Sequence, residues 1–511
     1  MDEYSNAFRL SRLAKLTPYS DFQPYTTLLA LYLQRLPFEF VQGDWNKLVF
    51  VKTFNVVAVA MTLFWTGKAL LRRYSPVVVV SCLFALVLHS TFLERSGALR
   101  VDMLCAAFGL VSLVYALEGK YRHAGIWVGV AFLATQKGAL FIVAWAIAEI
   151  VRFARFRDRA SLRRLFEAGL FTVIPVIGYL ILFSSLSSFS NVFDTVFVKS
   201  QRVATEDLPN LSVFWWQTLK RNPFFYAVSG LSLLVGPLIA VSKNDYREEQ
   251  KYLSSYGGVL FVLCLFHKQP WPYFFVMLLP TATVVIIVFL DQLCGVNRKI
   301  GTAVAGTLVV GAVCLAVFRV PVVLKRDAVL QRTTMNLAKG MLGTGDSYLA
   351  GVPMLWERDQ VPELRWLDHQ HTVKLHEKPF PAFGKLKKNP PLVIIWSHRI
   401  ANLPTPFLEW FKGRYTLLGA NVLAPGTRFD PQTSSIQLWK TGTYKLILPP
   451  GEEIALGDEI YQDGAVVELT SGIYSLKSGI KGRIVLWPKD PAISRLAALD
   501  GGTLYYRPYT F

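Results

Sequence analysis

The chain has 511 residues, of which 52% are apolar and only 17% are charged. This composition excludes an ordinary water-soluble protein, because the apolar runs are too long and too numerous for a soluble core. The formal net charge is +19, yet much of it is spread over short loops between apolar runs, where Lys and Arg report membrane topology. We therefore expect no nucleic-acid partner.

Ten apolar runs between residues 48 and 324 have the roughly 20 residues that a bilayer crossing needs, or slightly fewer. The fourth and fifth runs are short and abut at Thr135–Gly138. The pattern predicts a mainly α-helical polytopic membrane protein. The runs are 48–71, 76–93, 98–117, 122–137, 138–154, 167–187, 223–242, 252–267, 271–290 and 300–324.

The residues before and after these runs have different patterns of polar and apolar residues. Residues 1–47 read as an outward polar loop with a helix lying along the interface at 26–36. Residues 325–425 mix helical patterns with an apolar strand, as in a soluble α/β unit, and residues 426–511 show short alternating runs typical of an antiparallel β-sandwich. With 48–324 as the transmembrane domain, the sequence predicts four regions.

Basic residues fall on alternate connections between the apolar runs, and the positive-inside rule places those connections in the cytoplasm. They carry Lys68/Arg72/Arg73, Lys120/Arg122, the arginines of 152–164, Lys243/Arg247/Lys251 and Arg298/Lys299. The N-terminal segment, the other connections and the C-terminal region then face outward. We expect a multi-pass protein of the bacterial inner membrane with an extracytoplasmic C-terminal region.

Two adjacent carboxylates, Asp2 and Glu3, form the first candidate site. In a catalytic role, one would accept a proton from an acceptor hydroxyl while the other orients the acceptor or binds a metal. The alternative is a pair of solvated terminal residues. No apolar run precedes them, so either the natural chain has a further helix before Met1 or the first span inserts with its N terminus outward. Basic residues in 4–47 resist translocation and favour the first option.

Asp102 stands at the mouth of the third run, where an ionisable side chain is costly unless it faces water or a partner. Arg100 offers a partner or a phosphate clamp; the alternative is a purely structural ion pair. Lys137, flanked by apolar residues, could bind a lipid phosphate at the outer edge, or simply extend its ammonium group to the interface.

Between the eighth and ninth runs, two prolines interrupt the chain in the segment His267–Phe275. The break presents a cation, an amide and a phenol together, from Lys268, Gln269 and Tyr273, with His267 just before them. Aromatic residues at a membrane interface explain the tyrosine without a special role, but they do not explain the lysine. His369, His371 and His376 lack a supporting carboxylate pattern, so no metal site is indicated, although a divalent cofactor is left open.

These pieces together resemble the GT-C class of membrane glycosyltransferases, which includes dolichyl-phosphate-mannose protein mannosyltransferases and bacterial lipid A aminoarabinose transferases. The similarity covers roughly residues 1–325. Asp2-Glu3 is similar to the acidic pair of the family's first outward loop, and Asp102 to a second Asp at a span mouth. The other matching stretches are Asp21–Leu29, Gly129–Leu140 and Lys268–Pro280.

The resemblance implies transfer of a sugar, with inversion, from a polyprenyl-phosphate donor to an acceptor outside the cytoplasm. It implies Asp2 as the catalytic base and Asp102 as a second catalytic carboxylate. The donor phosphate would lie near Lys137, Lys268 and Tyr273. We therefore expect a single pocket at the non-cytoplasmic edge of the bilayer that is shared by Asp2, Asp102, Lys137 and Lys268.

The expected substrate-binding set is Glu3, Gln23, Arg100, Lys137, His267, Lys268 and Tyr273. This chain departs from the family in two respects. The helix that normally precedes the acidic pair is missing, and Gln23 stands where some members carry a lysine.

Two other functions fit parts of the pattern. A lipid-linked substrate transporter or flippase also has broken helices and charges in the membrane. It predicts charges deep in the spans and internal pseudosymmetry, whereas here the charges cluster mostly at the outer mouths of the spans and the sequence shows no matching halves. A non-catalytic envelope assembly protein would use the C-terminal region as a binding module. It would tolerate replacement of both Asp2 and Asp102 by Asn.

Overall fold

The computed structural model describes residues 2–24, 26–156, 159–199, 212–239, 244–265, 274–324, 328–367, 369–477 and 479–497. The chain forms two compact units. We call Arg9–Lys325 the helical unit, and Arg326–Thr510 together with Glu3–Phe8 the C-terminal unit. Helix α1 (Asp2–Leu13) contributes residues to both.

The helical unit is built almost entirely from α-helices, and each of the ten predicted apolar runs overlaps at least one of them. Their bounds are α2 (Leu29–Glu39), α3 (Asp44–Leu71), α4 (Pro76–Leu88), α5 (Ser90–Arg95), α6 (Asp102–Leu117), α7 (Tyr121–Ala134), α8 (Ala139–Phe156), α9 (Arg159–Leu186), α10 (Phe189–Phe193), α11 (Ser212–Arg221), α12 (Pro223–Leu234), α13 (Gly236–Ile239), α14 (Asn244–Leu265), α15 (Phe275–Val296) and α16 (Arg298–Leu324).

The helices differ in how much of their apolar surface is covered. In α15, 83% of the most apolar stretch is buried, whereas the value is 17–28% in α3, α9 and α16. These four are long and apolar enough to span a bilayer, and shorter apolar helices cover Pro76–Leu88, Asp102–Leu117 and Pro223–Leu238. A central buried helix ringed by helices with exposed apolar faces is the arrangement of a bundle surrounded by lipid.

The second predicted run, 76–93, is two helices and not one. At His89 the backbone is extended (φ −59°, ψ 124°), which ends α4 and begins α5. The imidazole is buried edge-on against the rings of Phe225 and Tyr226, at 5.0 and 5.6 Å between centroids. Hydropathy could not reveal this break, because it depends on packing against a distant helix.

Four of the five basic connections lie at one end of the helical unit, which we call the basic end. Arg73 Nη1 donates to the carbonyl oxygen of Leu117 (2.8 Å) and to Glu249 Oε1 (3.1 Å). Arg152 Nη2 donates to Glu248 Oε2 at 3.0 Å. Since consecutive helices joined by short connections run antiparallel, the intervening connections lie at the opposite end, which we call the Asp102 end.

The C-terminal unit combines helices with two sheets, which confirms the predicted α/β and β-rich region. Its helices are α17 (Val329–Met341), α18 (His369–Glu377), α19 (Phe380–Lys388), α20 (His398–Ala401), α21 (Thr405–Lys412) and α22 (Pro491–Leu496). Its strands are β1 (Tyr348–Leu349), β2 (Val393–Ile395), β3 (Tyr415–Gly419), β4 (Val422–Phe429), β5 (Ser435–Leu438), β6 (Gly442–Ile447), β7 (Glu453–Leu456), β8 (Glu459–Gln462), β9 (Val466–Leu469), β10 (Gly472–Lys477) and β11 (Gly482–Leu486).

The larger sheet has seven strands in the order β1-β2-β4-β11-β6-β9, with β3 also paired to β4. Strands β1 and β2 are parallel, and α18 and α19 lie in the connection between them, as a parallel crossover requires. The smaller sheet has the order β5-β10-β7-β8. Strand β4 runs through the boundary predicted at residues 425 and 426, because its first half pairs with β2 and its second half with β11.

Residues 2–13 are helical, where the sequence predicts part of an outward loop. In the C-terminal unit, the Tyr4 hydroxyl donates to Gln331 Oε1 at 2.9 Å, and the guanidinium of Arg365 lies 5.3 Å from the Phe8 ring centroid. Burial, and then the charge of Glu3, raise the pKa of Tyr4 above its usual range. Tyr4 and Phe8 of the first helix are therefore packed within the C-terminal unit.

Candidate active site

Asp102 and two cations form a compact cluster at the Asp102 end of the helical unit. Lys137 Nζ lies 2.7 Å from Asp102 Oδ1, and Arg100 Nε lies 2.9 Å from Oδ2. The Asp102 side chain is 1% exposed, whereas those of Arg100 and Lys137 are 15% and 27% exposed. Arg100 and Lys137, both singled out from the sequence, thus each contact Asp102, although the roles of all three stay predictions.

A short 3-10 turn, Gln136–Gly138, positions Lys137 between α7 and α8. A Cβ atom at Gly138 would come within 2.4 Å of the backbone nitrogen of Phe132 and 2.5 Å of the backbone of Ala131. Only glycine permits this close approach. The turn is therefore compact, and the backbone of Lys137 is held against the end of α7.

Two buried amides hold the loop that carries Arg100. Asn55 Nδ2 donates to the carbonyl oxygen of Ala98 at 2.8 Å, and Gln34 Nε2 donates to the carbonyl oxygen of Arg100 at 3.0 Å. Gln34 Nε2 also lies 3.1 Å from Asn55 Oδ1. Both side chains are fully buried, so α2 and α3 fix the backbone on which Arg100 is mounted.

The charge of this cluster favours an anionic ligand. Two cations share one buried carboxylate, so the three groups together carry a net charge of +1. The carboxylate is the buried member, and the two cations are partly exposed, so the cations are the members that a ligand can contact. Lys137 Nζ also lies 5.6 Å from the Phe274 ring centroid, so an aromatic face forms part of its surroundings.

Asp102 has the contacts of a positioning group. Both of its oxygens accept charge-assisted hydrogen bonds, from Lys137 and from Arg100. Hydrogen bonds from two cations favour the charged form of a carboxylate, and they occupy the oxygens that would otherwise take a proton. Its geometry therefore suits an organiser of the two cations better than a general base.

Gln23 lies in a loop, described for residues 14–24 and 26–28, that is hydrogen-bonded to the ends of several helices. Thr195 Oγ1, in the π-helix Asp194–Lys199, donates to Gln23 Oε1 at 2.5 Å. Thr26 Oγ1 donates to Gln136 Oε1 at 2.9 Å, one residue before Lys137. The hydroxyls of Tyr19 and Tyr179 are hydrogen-bonded to each other. The loop thus connects the neighbourhood of Gln23 with the turn that carries Lys137.

The remaining predicted residues are less completely described. Asp2 is the first residue of α1, and its side chain is outside the described part. Glu3 belongs to the C-terminal unit through the segment Glu3–Phe8. His267, Lys268 and Tyr273 lie outside the described residues. Among the residues that are described, no group of three or more His, Cys, Asp and Glu is placed to hold a metal ion.

A second polar cluster, which the sequence did not identify, joins α5 to the junction of α11 and α12. Arg221 Nη1 lies 3.5 Å from Glu94 Oε1, and Asn222 Nδ2 donates to Ser90 Oγ at 2.8 Å. All four residues are nearly buried. The sequence shows these polar residues near two predicted outward connections. It could not show that they pair, because the two connections are far apart along the chain.

The helical bundle and the mixed α/β and β-rich C-terminal unit have a GT-C-like membrane fold, because a solved structure of that fold aligns with most of the chain. This confirms the fold class expected from the sequence. The similar solved structures include the crystal structure of ArnT from Cupriavidus metallidurans in the apo state. That similarity has a TM-score of 0.57 and 13% identity, and covers 83% of this chain and 92% of ArnT. At this identity the likeness shows the fold alone.

A second crystal structure, of ArnT from Cupriavidus metallidurans bound to undecaprenyl phosphate, aligns with a TM-score of 0.48 and 12% identity over 88% of each chain. A likeness of this size carries no inference by itself. No protein-family model and no curated protein matches the chain.

Proposed function

We propose that this protein is an integral-membrane glycosyltransferase that moves a sugar from a polyprenyl-phosphate donor to an acceptor on the extracytoplasmic face. The observation that carries the proposal is the cluster of Asp102 with Arg100 and Lys137. It supplies two accessible cations at the end of a membrane bundle, where a lipid phosphate would meet the interface. The GT-C-like fold supports the same class of reaction.

The reaction needs a stabiliser for the leaving group. When the bond between the anomeric carbon and the phosphate oxygen breaks, its electron pair stays on the polyprenyl phosphate. Preorganised cations in a site with little water stabilise such developing charge more than water does. Arg100 and Lys137 are the residues that we assign to this task, and Asp102 holds both in place.

The reaction also needs an acceptor for one proton. The acceptor hydroxyl oxygen attacks the anomeric carbon from the face opposite to the phosphate, which inverts the configuration, and its proton passes to a base. We assign this base to Asp2, with Glu3 beside it, because Asp102 is occupied by two cations. His267, Lys268, Tyr273 and Gln23 are proposed to bind the donor, as the family resemblance implies.

The basic end supports an orientation for the reaction. If that end lies in the cytoplasm, as the positive-inside rule predicts, then the Asp102 end and the C-terminal unit are extracytoplasmic. The compartment that we propose is the bacterial inner membrane. A cysteine introduced at exposed Lys120 should then react with a membrane-impermeant thiol reagent only after the membrane is opened.

The direct test is release of polyprenyl phosphate from sugar-labelled donors by the purified protein in detergent. Undecaprenyl phosphate, a polyprenyl phosphate of the proposed donor class, is the product to look for first. Lys137→Gln should lower turnover about 100-fold, the usual cost of losing one preorganised stabilising group. The matched control is Lys120→Gln, which removes the same charge from an exposed pair with Glu118 at the basic end and should leave turnover unchanged.

The same preparation separates the alternatives. A flippase would move the intact donor between leaflets of a vesicle without releasing polyprenyl phosphate. An assembly protein would keep its cellular function in the Asp2→Asn and Asp102→Asn variants. If no labelled donor loses its sugar and both variants support normal function, the glycosyltransferase proposal is wrong.

A further inference from the structure

A cavity of about 290 Å³ lies at the basic end of the helical unit, between α8, α13 and α14. Arg152 of α8 and Lys251 of α14 line it. Arg152 is 15 residues after Lys137 along one continuous helical path, which corresponds to about 22 Å at 1.5 Å per residue. The cavity is therefore separate from the cluster around Asp102.

The charged side chains that line the cavity carry a net positive charge. Glu149, buried on the same helix as Arg152, is accompanied by its own cation, Arg164, at 3.8 Å. Arg152 and Lys251 contribute two cations, and Glu248, which also lines the cavity, contributes one carboxylate. The carboxylate pairs with Arg152 at 3.0 Å and is largely exposed. The balance of +1 favours an anion with one negative charge.

A buried hydroxyl points to a ligand independently of these charges. Tyr252 lines the cavity, is 6% exposed, and its hydroxyl has no hydrogen-bond partner among the described residues. A buried hydroxyl without a partner is costly. A phosphate oxygen in the cavity would accept a hydrogen bond from this hydroxyl. Ser254 and Ser255 also line the cavity and add polar groups.

One side of the cavity is apolar and open to the surroundings of the bundle. Val151 lines the cavity and is exposed, and Leu234 and Leu238, on either side of the short connection between α12 and α13, are also exposed. In a bilayer such side chains contact acyl chains. The cavity therefore combines a cationic recess with an adjoining lipid-facing surface.

We propose that this cavity binds the phosphodiester headgroup of an anionic phospholipid, with the acyl chains lying along the exposed side chains of α8, α12 and α13. A phosphodiester carries the single negative charge that Arg152, Lys251 and Glu248 balance. Its oxygens satisfy the Tyr252 hydroxyl. In the orientation predicted from the basic connections, the cavity faces the leaflet that attracts basic residues through its anionic lipids.

The test is lipid binding by the purified, delipidated full-length protein in detergent, followed by native mass spectrometry. Phosphatidylglycerol, phosphatidylcholine with the same acyl chains, and inorganic phosphate are titrated separately. Phosphatidylglycerol should bind at least about fivefold more tightly than phosphatidylcholine, the factor expected for one cation near an anionic headgroup. Inorganic phosphate should bind far more weakly than the lipid, because it lacks the acyl chains.

Two variants localise the binding. Lys251→Gln and Tyr252→Phe should each weaken phosphatidylglycerol binding about fivefold, through loss of a charge and of a hydrogen bond. Lys120→Gln removes a lysine at the same end but outside the cavity and should change nothing. Equal binding of the two lipids, unchanged binding in both cavity variants, or inorganic phosphate as tight as the lipid would each overturn the proposal. The readout is binding, so it is independent of glycosyl transfer.

Discussion

The two ends of the helical unit use charge in opposite ways. At the basic end, arginines and lysines are numerous and most of their pairs are exposed or half-exposed, such as Lys120 with Glu118 and Arg152 with Glu248. The buried carboxylate of Glu149 lies 3.8 Å from Arg164, beyond hydrogen-bonding distance. At the Asp102 end, one buried carboxylate collects two cations. Exposed pairs contribute little stability, whereas breaking a buried one is costly. The number of charges therefore reports topology, and a buried carboxylate hydrogen-bonded to two cations marks the candidate site.

The strongest test of this contrast is Asp102→Asn. Removing the buried charge leaves Arg100 and Lys137 close together without their counterion, and we expect a loss of about 3 kcal/mol in the free energy of unfolding. Denaturant unfolding in detergent measures it. Glu248→Gln is the matched control at the basic end and should cost less than about 1 kcal/mol. Equal losses in the two variants would remove the distinction between the ends.

Gly138→Ala tests whether the turn must be compact. The added Cβ would overlap the backbone of residues 131 and 132, and we expect about 1–3 kcal/mol of destabilisation from overpacking, together with reduced donor turnover as Lys137 shifts. Gly178→Ala on α9 is the control, because a Cβ there meets nothing within 4 Å. A stable, fully active Gly138→Ala protein would show that the position of Lys137 is not constrained by this turn.

Asn55→Ala tests whether the buried amides position the loop that carries Arg100. The substitution removes the donor to the buried carbonyl oxygen of Ala98 and one of the two acceptors of Gln34 Nε2, which should cost about 1–3 kcal/mol and lower turnover through Arg100. Thr62→Ala on the same helix removes only a hydrogen bond to the carbonyl of Ala58 and should be nearly silent. If Asn55→Ala lowers stability but leaves turnover intact, the loop does not position Arg100 for catalysis.

Lys120→Gln should give the smallest effect, below about 0.5 kcal/mol, since the ion pair with Glu118 is exposed. The small loss should vanish as salt is raised, because the charges are screened. A loss that exceeds that of Asn55→Ala would mean that the basic end contributes more than topology.

The sequence predicted most of the helical architecture because the spans are long apolar runs, and hydropathy is a local property. It also predicted the partnership of Arg100 with Asp102, which are two residues apart. The contact of Lys137 with Asp102, across 35 residues, was expected only as part of a shared pocket, since it depends on which helix ends meet.

Other features were beyond local patterns. Gln34 and Asn55 are polar residues inside apolar stretches, and such residues were the available sign of a buried network, yet their partners are backbone carbonyls that no sequence pattern marks. The break at His89 depends on the rings of Phe225 and Tyr226. The continuity of β4 across residue 425 depends on pairing with strands about 30 and 60 residues away along the chain.

Asp102 acts as a resident counterion. With its charge built into the protein, Arg100 and Lys137 remain side by side even when no ligand is bound, and neither has to swing in from solvent. In the proposed glycosyltransferase, an arriving phosphate would meet two cations that Asp102 already holds in place. Recognition would then require little reorganisation of the protein, and departure of the product would leave the site ready for the next donor.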